Sequence, residues 1–88
     1  MAVYNISKTA DNRLFKEVCA VIEKTIPIIE KEPLLMDVDG TLIQIYAVMD
    51  GKIKVINDYE VDAVYVEEDG QILCPFQQFF PYDLDLIQ

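Results

Sequence analysis

The sequence predicts an α+β domain: one N-terminal amphipathic helix packed on an antiparallel meander sheet of about four to five strands. Three observations carry that expectation. Apolar residues recur at helical spacing only ahead of Pro27, and from Leu34 the pattern turns to short alternating runs. All three glycines follow an aspartate, at Asp39-Gly40, Asp50-Gly51 and Asp69-Gly70. Asp-Gly between apolar runs marks a tight hairpin, because both turn positions favour residues that accept positive φ.

The helix is expected at about residues 9–26. Leu14, Phe15, Val18, Cys19, Ile22 and Ile26 are spaced three or four apart, and charged residues fill the gaps. Ser7, Thr9 and Asp11 are the candidate N-caps. Pro27 should stop the helix, since it lacks an amide hydrogen and disfavours a helical residue before it. The "IIEKE" that follows has room for one more helical turn before Pro33.

The meander is expected over about residues 34–74, with strands near 34–38, 41–49, 52–57, 60–67 and 71–74. Ile43, Ile45, Ala47 and Met49 mark one face of the second strand, and Ile53 and Val55 begin the third. Asn57-Asp58 reads either as a further turn or as a bulge in one long strand. "DAVYVEE" is apolar on both faces at its centre, as suits an interior strand. An aromatic and acidic tail occupies residues 75–88.

With 88 residues, 52% of them hydrophobic, the chain suits a single domain with a real core. No run approaches the roughly 18 apolar residues of a membrane span. The first residues lack the basic-then-apolar layout of a secretory signal, so a cytoplasmic protein is expected. Cys19 and Cys74 are far apart and read as free thiols. Without histidine or a cysteine cluster, no metal site and no cofactor are expected.

The net charge of -9 is uneven. Residues 1–36 hold five basic and five acidic residues, whereas residues 37–88 hold eleven acidic residues against Lys52 and Lys54. Such a field repels nucleic acid and anionic membranes and attracts basic partners.

One short motif carries chemistry. "LLMDVDGTL", residues 34–42, resembles the first motif of the haloacid dehalogenase superfamily, an apolar strand followed by Asp-x-Asp-Gly-Thr. The resemblance implies Asp37 as phosphoryl-accepting nucleophile, Asp39 as general acid–base, and a bridging Mg²⁺. It also implies a doubly wound parallel sheet, in a fold longer than this chain. The later motifs find no match: no Ser or Thr follows Thr41, and Lys52 and Lys54 lie in an expected strand. Asp39-Gly40 is therefore read as one corner among three. A minimal Mg²⁺-dependent phosphatase is the alternative function.

Two surfaces could bind. Asp58, Glu60 and Asp62 alternate, so a single strand would set them on one face, and Glu67, Glu68 and Asp69 crowd the next turn. These six are the expected partner-binding residues, for a basic protein surface. In the tail, Phe76, Phe79, Phe80, Tyr82, Leu84 and Leu86 are candidate oligomer contacts, either packed back on the sheet or adding an edge strand within the protomer or across a homodimer. The expected function is a small acidic binding protein without catalysis, of an inhibitor or immunity type; an oligomeric structural module is a further alternative.

Overall fold

The structure is a computed structural model that describes residues 2–49, 51–70 and 85–87. It is α+β: among the described residues one helix, α1 (Asn12–Thr25), lies against a sheet in which every described pairing is antiparallel. The strands are β1 (Ala2–Ser7), β2 (Glu30–Lys31), β3 (Leu35–Met36), β4 (Leu42–Val48), β5 (Gly51–Asp58), β6 (Ala63–Gly70) and β7 (Asp85–Ile87). They run in the order β2-β4-β5-β6-β1-β7, with β3 also paired to β4.

The helix forms where its periodicity placed it, but it is not the first element. β1 precedes it and pairs with β6 on one side and β7 on the other. "AVYNIS" has the β-branched and aromatic residues of a strand. Its partner lies some sixty residues away in sequence, with Tyr4 opposite Val66, so no local turn signal announces it. Of the three cap candidates, Asp11 is the N-cap: its side chain accepts hydrogen bonds from the amides of Arg13 (2.9 Å) and Leu14 (3.1 Å). Ile26 is extended, as the following Pro27 requires.

The buried stripe of α1 is Leu14, Phe15, Val18, Cys19 and Ile22. It packs on Tyr46, Ile53, Val55, Val64 and Val66, which alternate along the three central strands. Full burial of each such aliphatic side chain contributes about 1.5–3 kcal/mol. On β4 the helix side is therefore Leu42, Gln44, Tyr46 and Val48, and Ile43 and Ile45 face the other way.

The segment "IIEKE" is strand, not helix. Ile29 donates its amide to the Ala47 carbonyl (2.8 Å) and Glu32 donates to that of Ile45 (3.0 Å), so the chain straps the outer edge of β4. A stretch between Pro27 and Pro33 is too short to nucleate a helix. The β4 edge satisfies its backbone instead.

β5 and β6 are two strands joined by a turn at Tyr59–Asp62, where Asp62 has φ 57. Glu60 and Asp62 thus sit in a reversal, and not with Asp58 on one strand face. Asp58 makes the turn local: its Oδ1 accepts from the amides of Glu60 (2.9 Å) and Val61 (3.3 Å). Asp69 and Gly70 end β6 in register with Lys52 and Gly51, so the third Asp-Gly is strand and not a corner. The expected strand at 71–74, Cys74, and Phe76, Phe79, Phe80, Tyr82 and Leu84 lie outside the described residues. Leu86 lies in β7, opposite Tyr4 of the same chain.

Candidate functional site

Opposite the helix, the described residues leave one sheet face open and form a groove of about 410 Å³ there. Its floor is one row of side chains carried across four strands. Leu35 pairs with Ile43, Ile43 with Ile56, and Ile56 with Tyr65, so β3, β4, β5 and β6 each contribute one residue. Side chains opposite one another on a pleated sheet share a face, which makes the row continuous. Ile45 and Lys54 extend the lining by one further row. Ile56 is only 4% exposed, although it points away from the helix.

Carboxylates border this apolar row. The β3–β4 turn brings Asp37 and Asp39, the end of β5 and the turn after it bring Asp58 and Glu60, and β6 brings Glu67. Both turns stand at the same end of the sheet because β4 and β5 are antiparallel, with Leu42 opposite Asn57. Among the described residues Lys54 is the one cation in the lining, and it lies directly across from Glu67.

The five carboxylates do different work. Asp39 accepts the Thr41 amide (2.9 Å), and this bond holds its carboxyl below the usual carboxylate range. The Asp37 amide donates to the Thr41 carbonyl (2.9 Å), and that of Gly40 to the Asp37 carbonyl (3.0 Å). Gly40 has φ +91, a conformation that a side chain would strain, and the Tyr59 ring lies over the same position. Asp37 and Asp39 thus stand at a hairpin corner, as the three-corner reading expects. The sheet beside them is antiparallel, and not the parallel one the dehalogenase resemblance implies.

Asp58 also accepts the Tyr65 hydroxyl (3.2 Å), and burial together with that bond pushes the Tyr65 phenol up to about 12. The side-chain carboxylates of Glu60 and Glu67 accept no hydrogen bond from the described residues and make no ion pair with them, so their charge is free to act on a ligand.

Of the six acids singled out from the sequence, the groove gathers Asp58, Glu60 and Glu67. Asp62 lies elsewhere, accepting the Ala10 amide (2.8 Å) and so tying the β5–β6 turn to the approach of α1. Asp69 is exposed at the end of β6, beyond the groove. Glu68 is on the helix side and 3% exposed. Its Oε2 accepts the Tyr4 hydroxyl (3.3 Å), its Oε1 is buried with no hydrogen-bond partner among the described residues, and burial raises its carboxyl.

Sequence reasoning missed the floor as a ligand surface. The alternation of Ile43 and Ile45 gave the face, but which face the helix covers is a tertiary fact. Among the described residues no cluster of carboxylate or thiol groups is arranged to hold a metal ion, and no helix is long and apolar enough to cross a membrane. No protein-family model, no curated protein and no solved structure matches this chain.

Proposed function

We propose that the chain acts by binding and has no catalysis of its own, its open sheet face receiving a basic surface of another protein. The reading that fits best is an acidic inhibitor or immunity-type protein that covers a cationic groove, such as the nucleic-acid site of a nuclease. The observation that supports it is a concave apolar row that, among the described residues, is bordered by five acidic residues and one lysine. An apolar centre with a charged rim is the usual anatomy of a protein interface. Acidic charge around it steers a basic partner and repels nucleic acid.

The test is capture of host proteins on the immobilised chain, followed by affinity measurement on each partner as a function of salt. Specific partners should be basic and should weaken as ionic strength rises. The double variant Glu60→Gln/Glu67→Gln should bind them more weakly and with a shallower salt dependence while staying folded, because neither carboxylate makes a hydrogen bond or ion pair with the described residues. Unchanged affinity and unchanged salt dependence in that variant would end the proposal.

The phosphatase alternative keeps one supporting observation, that Asp37 and Asp39 both line the groove. Turnover of a generic phosphate ester with Mg²⁺, abolished by Asp37→Asn, is the result that would favour it.

A further inference from the structure

The open face is polarised along the strands as well as concave. At one end the lining takes four acidic residues, Asp37 and Asp39 from the β3–β4 turn, Asp58 from the end of β5 and Glu60 from the turn after it. Across the middle runs the apolar row of Leu35, Ile43, Ile56 and Tyr65. At the other side Lys54 stands beside Glu67 and Ile45. A groove of about 410 Å³ is at the small end of ligand pockets, with room for a few side chains and none for a helix. Its composition is amphipathic in one direction: an aliphatic stem fits the row, and a positive head group fits the carboxylate end.

Resting on the binding reading above, we propose that the groove takes a long cationic side chain, arginine or lysine, from an extended basic segment of the partner protein. The methylene stem lies along the apolar row, over the partly exposed Ile43 and Tyr65 that flank the nearly covered Ile56, and the head group reaches the carboxylates of Asp58 and Glu60. Charge complementarity commits the groove to this occupant. Anionic and nucleic-acid ligands meet repulsion there, and a purely apolar side chain leaves the carboxylate end without a counter-charge. Arginine suits it better than lysine, since its planar fork bonds a carboxylate in two places and is less strongly hydrated.

Lys54 has a definite part in this arrangement. It makes no ion pair with the described residues although Glu67 is its cross-strand neighbour, so it is a resident cation that an incoming one must tolerate. It opposes a second positive charge near Glu67 and so favours binding with the head group at the Asp58–Glu60 end.

The test uses the full chain and blocked hexapeptides that alternate leucine with arginine, with methyl NMR of the isoleucines as readout. Binding should move the Ile43, Ile45 and Ile56 signals and leave the helix-side Ile22 and Ile53 unmoved. Replacing arginine by diaminopropionate, which keeps the charge and removes the stem, should weaken binding by about tenfold, the value of losing two or so buried methylenes. Lys54→Met should tighten the arginine peptide by about two- to fivefold and Glu60→Gln should weaken it by a similar factor, the usual range of an exposed charge pair. A linear tetra-amine should compete only weakly. Equal affinity for the stemless peptide or for the tetra-amine, or signals that shift over the whole acidic surface, would overturn the proposal. Loss of peptide binding while a captured protein partner still depends on Glu60 and Glu67 would sink this inference and leave the broader binding reading standing.

Discussion

Ile43 on β4 and Ile56 on β5 stand directly opposite one another on the sheet face that α1 does not cover. Two isoleucines at that place are an apolar bridge between the acidic corner of Asp37 and Asp39 and the acidic turn after Asp58. The same two strands turn Tyr46, Ile53 and Val55 toward the helix, so one pair of strands builds both the core and the groove. Five further consequences can be measured.

Ile22 is fully buried in the helix–sheet interface. Ile22→Ala should cost about 2–5 kcal/mol through lost burial and the cavity left behind. Denaturant unfolding checks it: the midpoint should fall and the slope should stay the same.

Asn57, also fully buried, joins β5 to the start of α1. Its Oδ1 accepts the Asp11 amide (2.9 Å) and its Nδ2 donates to Asn12 Oδ1 (2.7 Å), which also accepts the Tyr59 hydroxyl (2.7 Å). Asn57→Ala should destabilise by about 1–3 kcal/mol, the cost of leaving buried polar partners unmade. Hydrogen exchange at the Asp11 amide should speed up more than exchange in the centre of β5.

Glu68 should limit stability near neutral pH. Burial raises its folded carboxyl above the unfolded one, so its contribution to stability is fully present below the unfolded value near 4 and is lost as pH rises through the folded value. Glu68→Gln should remove that slope and raise the melting temperature at pH 7 by several degrees, about 4–8 °C per kcal/mol gained in a domain of this size. Thermal melts of both chains from pH 4 to pH 8 decide it; parallel curves would refute the assignment.

Tyr46 and Tyr65 should resist ionisation. Burial comes first for both, then hydrogen bonding to Glu23 (2.6 Å) for Tyr46 and to Asp58 for Tyr65. Their folded values lie above the unfolded one near 10, so the stability they contribute is present below pH 10 and declines above it. A spectrophotometric titration should show Tyr65 ionising near pH 12, and Tyr46 only on unfolding.

Asp39→Ala should weaken the β3–β4 corner without unfolding the domain, since it deletes the side-chain acceptor of the Thr41 amide in an exposed turn. The expected loss is about 1 kcal/mol or less. A loss as large as that of Ile22→Ala would show that the corner holds the sheet together.

The elements differ in how readable they were. The helix announced itself, because Leu14, Phe15, Val18, Cys19 and Ile22 must repeat at helical spacing to reach one core, and Asp11 supplies its own cap. Asp39-Gly40 read as a corner because its geometry is local. Asp69-Gly70 has the same dipeptide and forms no corner, since pairing with Lys52 and Gly51 holds it in strand. β1 was invisible for the converse reason: nothing near it in sequence shows that Tyr4 will meet Val66.

The candidate site shows the same division. That the acidic excess falls after residue 36 is written in the chain, and so is the alternation that puts Ile43 and Ile45 on one face. Which three of six acids share a groove was decided by the Tyr59–Asp62 turn, which takes Asp62 away to Ala10, and by the register of β6, which turns Glu68 inward.

By itself the sequence determined the helix, the strand character of the second half and the sign of its field, since these depend on spacing, turn chemistry and charge along the backbone. Only the tertiary structure decided which sheet face the helix takes and which carboxylates stand around the face left open. One helix can bury one side of a sheet, and the choice of side rests on contacts between residues far apart in the chain.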